Sequence, residues 1–464
     1  MAHLHAESGG RSDIEGYVAD SLYPSLFHAA FSPASIDVLL LRDGLAPPRE
    51  AAVDSKRPFT MVDVGCGDGL GLIVNAAAHP ESRFVGIDAM PAHIERGRAA
   101  ADALGMTNIE LRCATFSEAL GHDPVGADYI AAQGVLSWIS PENRRDLLAL
   151  IANNLADGGV AAIGYNCLPG WTQRLALQKL LLLLSRSKDG TPTERFESAY
   201  QNARALSQAG MPTIGERHFE WMDELRTRLP DEYFPHEYLN AHWQPLWSAD
   251  VIDAADALGM RYLRSAMPVQ LREDFFLKAA QREALATIAD TPTRELSIDL
   301  HLHSQFRIDL YAKPPMTQIG ESEVLARRLN GYWMSRAKGE ETDYSANTPA
   351  GTLRFDNIAA HAIMDRLKSG AAPLAEILQT TGDCTEADIL NAADALFTAS
   401  LIIPVDPPDD AIDAAKLNAW NASGGPILHV NALLTAHGPV SVGAGEGSEI
   451  LEDTPRLIRM GLAG

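Results

Sequence analysis

Short apolar runs alternate with longer helical patterns from about residue 59 to residue 165. The apolar runs predict five strands, at 59–64, 83–87, 109–113, 127–132 and 160–165. The patterns between them predict helices at 70–78, 91–104 and 142–155. Gly158 and Gly159 are expected to end the last of these helices. Alternation at this spacing predicts an α/β fold with a doubly wound parallel sheet.

The pattern changes after Trp171. Residues 172–245 are predicted to be mostly helical, and 249–258 to form a further helix. Two later runs, at 261–266 and 306–311, predict two more strands. We expect these strands to complete the sheet, so that the helices between them are insertions covering its active-site edge.

Helical patterns also occupy both ends of the chain. Residues 13–45 are predicted to be helical, and helices at 355–367, 374–380 and 386–399 precede a strand at 401–405. This last group suggests a winged-helix-like α+β module that binds partners rather than DNA. The expected division is an N-terminal helical lid (1–50), an α/β core (51–171), a helical insertion (172–246), a core completion and regulatory segment (247–315) and a C-terminal module (316–464).

Composition narrows the functional class. The 464 residues carry a formal net charge of −23, and such a surface repels phosphate, so we expect no nucleic-acid partner. The four cysteines form no Cys-x-x-Cys pair, and His236 and His242 are poorly spaced as ligands, so no metal is expected. Neither a signal peptide nor a membrane span is apparent. These features predict a cytoplasmic protein without a membrane partner.

A glycine-rich bend follows the first predicted strand, in the order Asp63-x-Gly65-x-Gly67-x-Gly69. Glycines there allow positive φ and close approach of the backbone to a ligand. The next helix begins at this bend and offers unpaired N–H groups. Asp88, at the end of the second predicted strand, can accept hydrogen bonds from ribose hydroxyls.

The bend favours one kind of nucleotide cofactor over another. Nicotinamide dinucleotides require Gly-x-Gly-x-x-Gly, whereas this bend has glycines at every second position. Asp63 and Asp68 would oppose a pyrophosphate but tolerate an ammonium or a sulfonium. The sequence therefore favours S-adenosylmethionine.

These residues carry a family resemblance. Val62-Asp63-Val64-Gly65-Cys66-Gly67-Asp68-Gly69 resembles the first motif of class I methyltransferases, and Asp88 resembles their ribose-binding acid. The segment Gln133-Gly134-Val135-Leu136-Ser137-Trp138 resembles the one that flanks sulfonium and substrate. The resemblance implies a Rossmann-like methyltransferase core that binds S-adenosylmethionine. The implied cofactor residues are Asp63, Gly65, Cys66, Gly67, Gly69, Asp88, Ala89, Thr115, Phe116, Gln133 and Gly134.

A narrower resemblance rests on two strings, 165–171 (Tyr-Asn-Cys-Leu-Pro-Gly-Trp) and 230–240, the latter followed by Trp243. They resemble bacterial methyltransferases with a methyltransferase regulatory domain, such as the rickettsial protein lysine methyltransferases. The resemblance covers roughly residues 15–312, including a Tyr-Pro-Ser stretch at Tyr23. It implies methyl transfer to lysine side chains of a protein or peptide substrate.

Side chains near the predicted strand ends are the candidates for chemistry, because ligands of open α/β sheets bind at carboxyl ends of strands. Aromatic faces can hold a sulfonium or an ammonium. The catalytic candidates are Tyr23, Trp138, Tyr165 and Asn166. The substrate-contacting candidates are Trp171, His236 and Trp243.

Three functions remain open at this point. The first is a protein lysine methyltransferase, and the second is an N- or O-methyltransferase of a peptide or small metabolite. The third is a cofactor-binding regulatory protein without catalysis. The apolar run Leu175–Leu184 is either a buried helix of the insertion or a homodimer interface.

Overall fold

A computed structural model describes residues 27–407, apart from gaps at 53–54, 187–188, 228, 230, 232, 337–343 and 349–350. It also describes strand pairs at 13–14 with 17–18 and at 434–435 with 438–439. The first pair differs from the helix expected at 13–45, of which the described part is a 3₁₀ turn at Ala29–Phe31 and helix α1 at Pro33–Arg42. Within these residues, no helix is long and apolar enough to cross a bilayer.

Seven strands form one central sheet. They are β1 Thr60–Val64, β2 Arg83–Asp88, β3 Ile109–Cys113, β4 Ala127–Ala132, β5 Leu155–Asn166, β6 Arg261–Ser265 and β7 Phe306–Ala312. Their order is β6-β7-β5-β4-β1-β2-β3, and β7 runs antiparallel to both of its neighbours. The five early strands are thus confirmed, and the two late strands complete the sheet as predicted.

Helices cover both faces of this sheet. In the first part of the chain they are α2 Leu70–Ala78, α3 Pro91–Leu104, α4 Phe116–Leu120 and α5 Pro141–Asn154. The insertion contains α6 Leu175–Ser185, α7 Pro192–Gln208, α8 Glu216–Arg226 and α9 Tyr233–Tyr238. Next come α10 Ser248–Asp256, α11 Pro268–Leu271, α12 Glu273–Phe276, α13 Ala279–Leu285 and α14 Thr291–Leu302.

The glycine pair after α5 has a different role from the one predicted. Leu155 already has extended backbone angles, so α5 ends at Asn154 and β5 begins at once. Gly158 lies within β5 at φ +80° and donates its N–H to the Lys313 carbonyl at 2.7 Å. The expectation that the glycines stop the helix is therefore wrong, because they serve an irregularity in the strand pairing.

Alternation along β5 decides which side chains face which layer. Val160 and Ala162 belong to a core cluster with α1, α2 and α14, whereas Ala161, Ile163 and Tyr165 belong to one with α5 and α10. Both faces are thus apolar, which explains the continuous apolar runs in the sequence.

The insertion has its own apolar core. Leu177 and Leu181 of α6 pack with Phe196, Phe219 and Phe234 from the next three helices. This packing accounts for the buried side of α6, whereas Leu175 and Leu183 remain exposed. The homodimer stays a prediction.

The C-terminal part contains α15 Glu321–Asn330, α16 Ile358–Leu367, α17 Leu374–Thr380 and α18 Glu386–Thr398. Its strands are β8 Tyr332–Ser335, β9 Ser345–Thr348, β10 Gly351–Arg354, β11 Ala372–Pro373 and β12 Ile402–Val405. The three predicted helices and the strand after them are confirmed. The sheet β11-β8-β12 and the hairpin β9–β10 were not predicted. The winged-helix-like assignment stays a prediction.

A buried arginine fastens the late strands to β5. Arg307 on β7 is 1% exposed and forms ion pairs with Asp309, Asp299 and Glu295 at 2.8–2.9 Å. The Tyr165 hydroxyl on β5 donates to Asp309 at 2.5 Å. Since Asp299 and Glu295 lie on α14, this cluster joins β5, β7 and α14.

Arg307→Met should lower the free energy of unfolding by about 3–5 kcal/mol, because it leaves buried carboxylates without their cation. Urea denaturation followed by circular dichroism measures this. The control is Arg261→Met, which removes an exposed arginine from the adjacent β6. A loss below about 1 kcal/mol for Arg307→Met would contradict the assigned role.

Candidate active site

The bend after β1 packs against the turn that follows β4. Gly65 has φ +79°, and a Cβ atom there would lie 2.3 Å from Val135 Cγ2. The N–H groups of Gly65 and Cys66 both donate to the Ile87 carbonyl, at 2.7 and 3.1 Å. These contacts bring the two segments that resemble methyltransferase motifs into direct contact, and only glycine fits at the contact point.

Asp88 holds the tip of this bend. Its carboxylate oxygens accept hydrogen bonds from the N–H groups of Gly67 and Met90, each at 2.9 Å. A Cβ atom on Gly67 would have no heavy atom within 4 Å, so the bend is open on that side. A carboxylate oxygen accepts more than one hydrogen bond, and Asp88 therefore keeps capacity for ribose hydroxyls.

Asp63 lies beneath the bend and is 7% exposed. Its Oδ1 has no hydrogen-bond partner among the described atoms. Burial, and secondarily the Asp88 charge, raise the pKa of the Asp63 carboxyl to about 7. Two neighbouring carboxylates fit a ligand bearing positive charge, as a sulfonium or ammonium does, and do not fit a pyrophosphate.

The ends of β2 and β3 lie side by side at the same edge. The Cys113 thiol donates to the Ala89 carbonyl at 3.8 Å, so Ala89, just after β2, lies close to the end of β3. Thr115 caps α4, accepting from the Glu118 N–H at 3.2 Å and donating to its carboxylate at 3.0 Å. With its hydroxyl proton engaged, Thr115 is left to act toward adenine as an acceptor, and Phe116 follows as the first residue of α4.

The ends of β4 and β5 are tied together. Beyond Gln133, Gly134 has φ +73° and donates its N–H to the Gly164 carbonyl at 3.1 Å. Ser137 Oγ accepts from the Asn166 N–H at 2.8 Å. These bonds fix the turn that carries Trp138 against the carboxyl end of β5.

Asn166 has a buried amide without an acceptor. The residue is 8% exposed, and its Nδ2 donates to no atom of the described residues. Leaving such a group unpaired costs about 1–3 kcal/mol, so it marks a place where a ligand acceptor fits.

Three tryptophans from segments near the end of β5 contact one another. The Trp243 ring is 6.3 Å from Trp138 and 5.0 Å from Trp171, measured between centroids. Trp171 donates its indole N–H to the Gln305 carbonyl at 2.9 Å, and Asn240 Nδ2 donates to the Trp138 carbonyl at 3.0 Å. We call Trp138, Trp171 and Trp243 the tryptophan cluster. It combines residues that are far apart in sequence.

Tyr165 is placed differently from the prediction. Its side chain has no exposed surface and points to the α5 and α10 layer, opposite to Asp63. Burial and the charge of Asp309 raise the pKa of the Tyr165 phenol well above its usual range. The expectation that it faces the substrate is therefore wrong, because its hydroxyl belongs to the Arg307 cluster.

His236 differs in position from the tryptophan cluster. His236 is 1% exposed within α9, where its neighbours Phe234 and Tyr238 belong to the core of the insertion. Tyr23 lies outside the described residues. Sequence reasoning missed Ser137 and Asn240, although both occur in the strings that carried the resemblance.

A cavity of about 600 Å³ lies at the opposite edge of the sheet. Its lining includes Arg261, at the start of β6, and Pro314, just beyond the end of β7. Asn166 pairs with the other end of β7, so this cavity is separate from the site above. Across the described part of the chain, no three His, Cys, Asp or Glu side chains are grouped to hold a metal ion.

Asp88→Ala should weaken S-adenosylmethionine binding by about 10-fold or more, because a charged hydrogen bond is worth about 1.5–3 kcal/mol. Isothermal titration calorimetry measures the change, with the exposed α3 variant Asp102→Ala as control. Unchanged affinity in Asp88→Ala would show that the ribose binds elsewhere.

Asp63 should make the ligand-free protein less stable as the pH rises. Between about pH 4 and 7 the folded chain retains a proton that the unfolded chain has released, so the free energy of unfolding falls by up to about 4 kcal/mol. Asp63→Asn should remove this contribution, whereas exposed Asp157→Asn should not. Denaturant titrations at pH 5 and 8 provide the comparison, and parallel pH dependence in wild type and Asp63→Asn would contradict it.

Comparison with known proteins agrees with this geometry. The methyltransferase domain family matches residues 61–159, and the predicted methyltransferase regulatory domain family matches residues 230–313. An uncharacterized protein of Synechocystis sp. is 25% identical over 78% of this chain and 71% of its own length. An uncharacterized protein of Rickettsia prowazekii is 30% identical over 42% of this chain and 74% of its own length.

A solved structure shares the fold. PKMT2 from Rickettsia typhi in complex with AdoHcy superposes with a TM-score of 0.62 at 21% identity, covering 82% of this chain and 77% of that one. The matched methyltransferase domain contains the bend at Asp63–Gly69 and Asp88, and the regulatory domain contains Trp243. The chain therefore belongs to the class I S-adenosylmethionine-dependent methyltransferases that carry a methyltransferase regulatory domain.

Proposed function

We propose that this methyltransferase transfers methyl groups to lysine side chains of a protein or peptide substrate. The observation that carries the proposal is the tryptophan cluster, whose Trp138 follows the residue that binds the main-chain N–H of Asn166 at the end of β5. A lysine side chain has an apolar stem and a cationic tip, and indole faces bind both. The sequence resemblance to the rickettsial protein lysine methyltransferases supports the same acceptor.

The chemistry requires a neutral amine in a fixed position. When bound, S-adenosylmethionine supplies an electrophilic methyl group on a positively charged sulfur. The acceptor nitrogen has to approach to about 3 Å in line with the bond that breaks, so positioning dominates. Burial lowers the pKa of a lysine amine, so the amine releases its proton to water as it enters the site and attacks as the neutral base.

Asn166 suits the positioning role. Its main-chain N–H is held by Ser137, which fixes the residue at the end of β5. Its Nδ2 has no acceptor among the described atoms, so it can donate to a peptide carbonyl of the acceptor and leave the amine lone pair free to attack. Tyr165 takes no part, since its phenol is bonded to Asp309 on the other side of the sheet.

A macromolecular acceptor accounts for the size of the insertion. Helices α6–α9 form a separate apolar core next to the tryptophan cluster. A small metabolite needs only a pocket, whereas a folded or extended polypeptide needs a surface. The additional helices provide that surface.

Incubation with isotope-labelled S-adenosylmethionine and a bacterial lysate should label protein bands, with a mass increase of about 14 Da on lysine by mass spectrometry. Trp243→Ala should reduce protein labelling by about 100-fold, because it removes the central ring of the cluster. The matched control is Trp247→Ala, four residues along and 37% exposed.

The outcomes separate the three functions. Label on a carboxylate or hydroxyl, or only on extractable small molecules, would contradict the lysine proposal and favour the metabolite or O-methyl alternative. Absence of any label, with S-adenosylmethionine binding intact, would favour the non-catalytic alternative.

A further inference from the structure

Arg174 lies at the outer end of the tryptophan cluster. Its guanidinium carbon is 3.7 Å from the Trp221 ring centroid and 5.6 Å from that of Trp171. One terminal nitrogen donates to Gln305 Oε1 at 3.0 Å. Two rings from different elements thus hold the guanidinium plane, and four of its five N–H donors have no acceptor among the described atoms.

This cation lacks an anion. Within the described part of the chain, no carboxylate lies within ion-pair distance of Arg174, although the protein has 61 acidic residues. Burial lowers the pKa of its guanidinium, and Tyr238 is the group that opposes this effect. By contrast, Arg204 in the same insertion pairs with Glu216 and Asp223.

A partly buried, unpaired cation is costly unless a ligand supplies the opposite charge. A guanidinium held flat by aromatic rings presents its N–H groups at its edge, in the geometry that binds a carboxylate with two hydrogen bonds. The place is therefore suited to an acidic group from outside the chain.

We propose that Arg174 binds an acidic side chain of the methyl-acceptor polypeptide, a few residues from the lysine. This inference rests on the proposed function. The Trp243 centroid is 5.0 Å from Trp171, which is 5.6 Å from the guanidinium, so the two ends are at most about 11 Å apart. An extended polypeptide spans that distance in about three residues. Arg174 thereby selects acceptors with an acidic residue near the lysine.

The test uses short lysine peptides with one glutamate placed two to five residues on either side of the lysine, each matched to a peptide with glutamine instead. For the wild-type protein, at least one glutamate peptide should have a KM about 10-fold lower than its glutamine partner. Arg174→Gln should raise the KM for that glutamate peptide about 10-fold and abolish the difference. Arg174→Lys should restore it in part, because the charge is kept and the planar edge is lost.

Arg217→Gln is the matched control. It removes the same charge from the same insertion, one helical turn before Trp221, at an exposed position. It should keep the preference between the peptides. Calorimetry with S-adenosylmethionine and thermal melting report whether Arg174→Gln is folded, and a merely structural role would weaken both peptides alike.

The test distinguishes failure of the Arg174 proposal from failure of the lysine proposal. Methylation of both peptides with equal KM by the wild-type protein would overturn the assignment of Arg174 and leave the lysine proposal intact. Absence of methyllysine from every peptide, while lysate proteins acquire label on other atoms, would overturn the lysine proposal and this inference with it.

Discussion

The buried charge of Arg307 is the constraint on which the site depends. A guanidinium without exposed surface requires carboxylates around it, and these come from β7 and α14. The antiparallel pairing of β7 with β5 brings this cluster next to β5 despite the long insertion between them. Asp309 also accepts from Tyr165, the residue immediately before Asn166. The position of the unpaired amide is thus fixed by an ion cluster on the opposite side of the strand.

The candidate site at the carboxyl ends of the strands consists of two halves that differ in charge. The half around Asp63 and Asp88 is acidic and buried, which suits a cationic cofactor. The half around the tryptophan cluster contains Arg174, a cation that pairs with no carboxylate among the described residues. A donor that carries positive charge and an acceptor that carries negative charge would each approach its own half. A protein of net charge −23 repels acidic groups over most of its surface. Near Arg174, in the second half, an acidic group is attracted instead.

The strands and the glycine bend are predicted correctly because local burial and local backbone geometry determine them. The strands are buried on both faces, so they leave apolar runs, and the bend needs glycine because Gly65 meets Val135. Non-local contacts explain what the sequence misses. Alternation along β5 puts Tyr165 in the same layer as Ala161 and Ile163, but the partner of its hydroxyl, Asp309, is 144 positions away. The unpaired Nδ2 of Asn166 depends on every neighbour of that amide. The short strand β8 depends on its pairing with β11 and β12, which lie about 40 and 70 positions further along the chain.

The residues proposed to bind the cofactor and those proposed to bind the acceptor lie in different segments, and this affects how acceptor specificity can change. The predicted cofactor residues Asp63 and Asp88 lie within the methyltransferase domain, whereas Trp243 lies in the regulatory domain and Arg174 in the insertion. Substitutions in the latter two segments can change the acceptor without touching the bend. They are not free of the core, however, because Trp171 bonds to Gln305, two residues before Arg307. Acceptor recognition can therefore vary only as far as the Arg307 cluster keeps β7 in place.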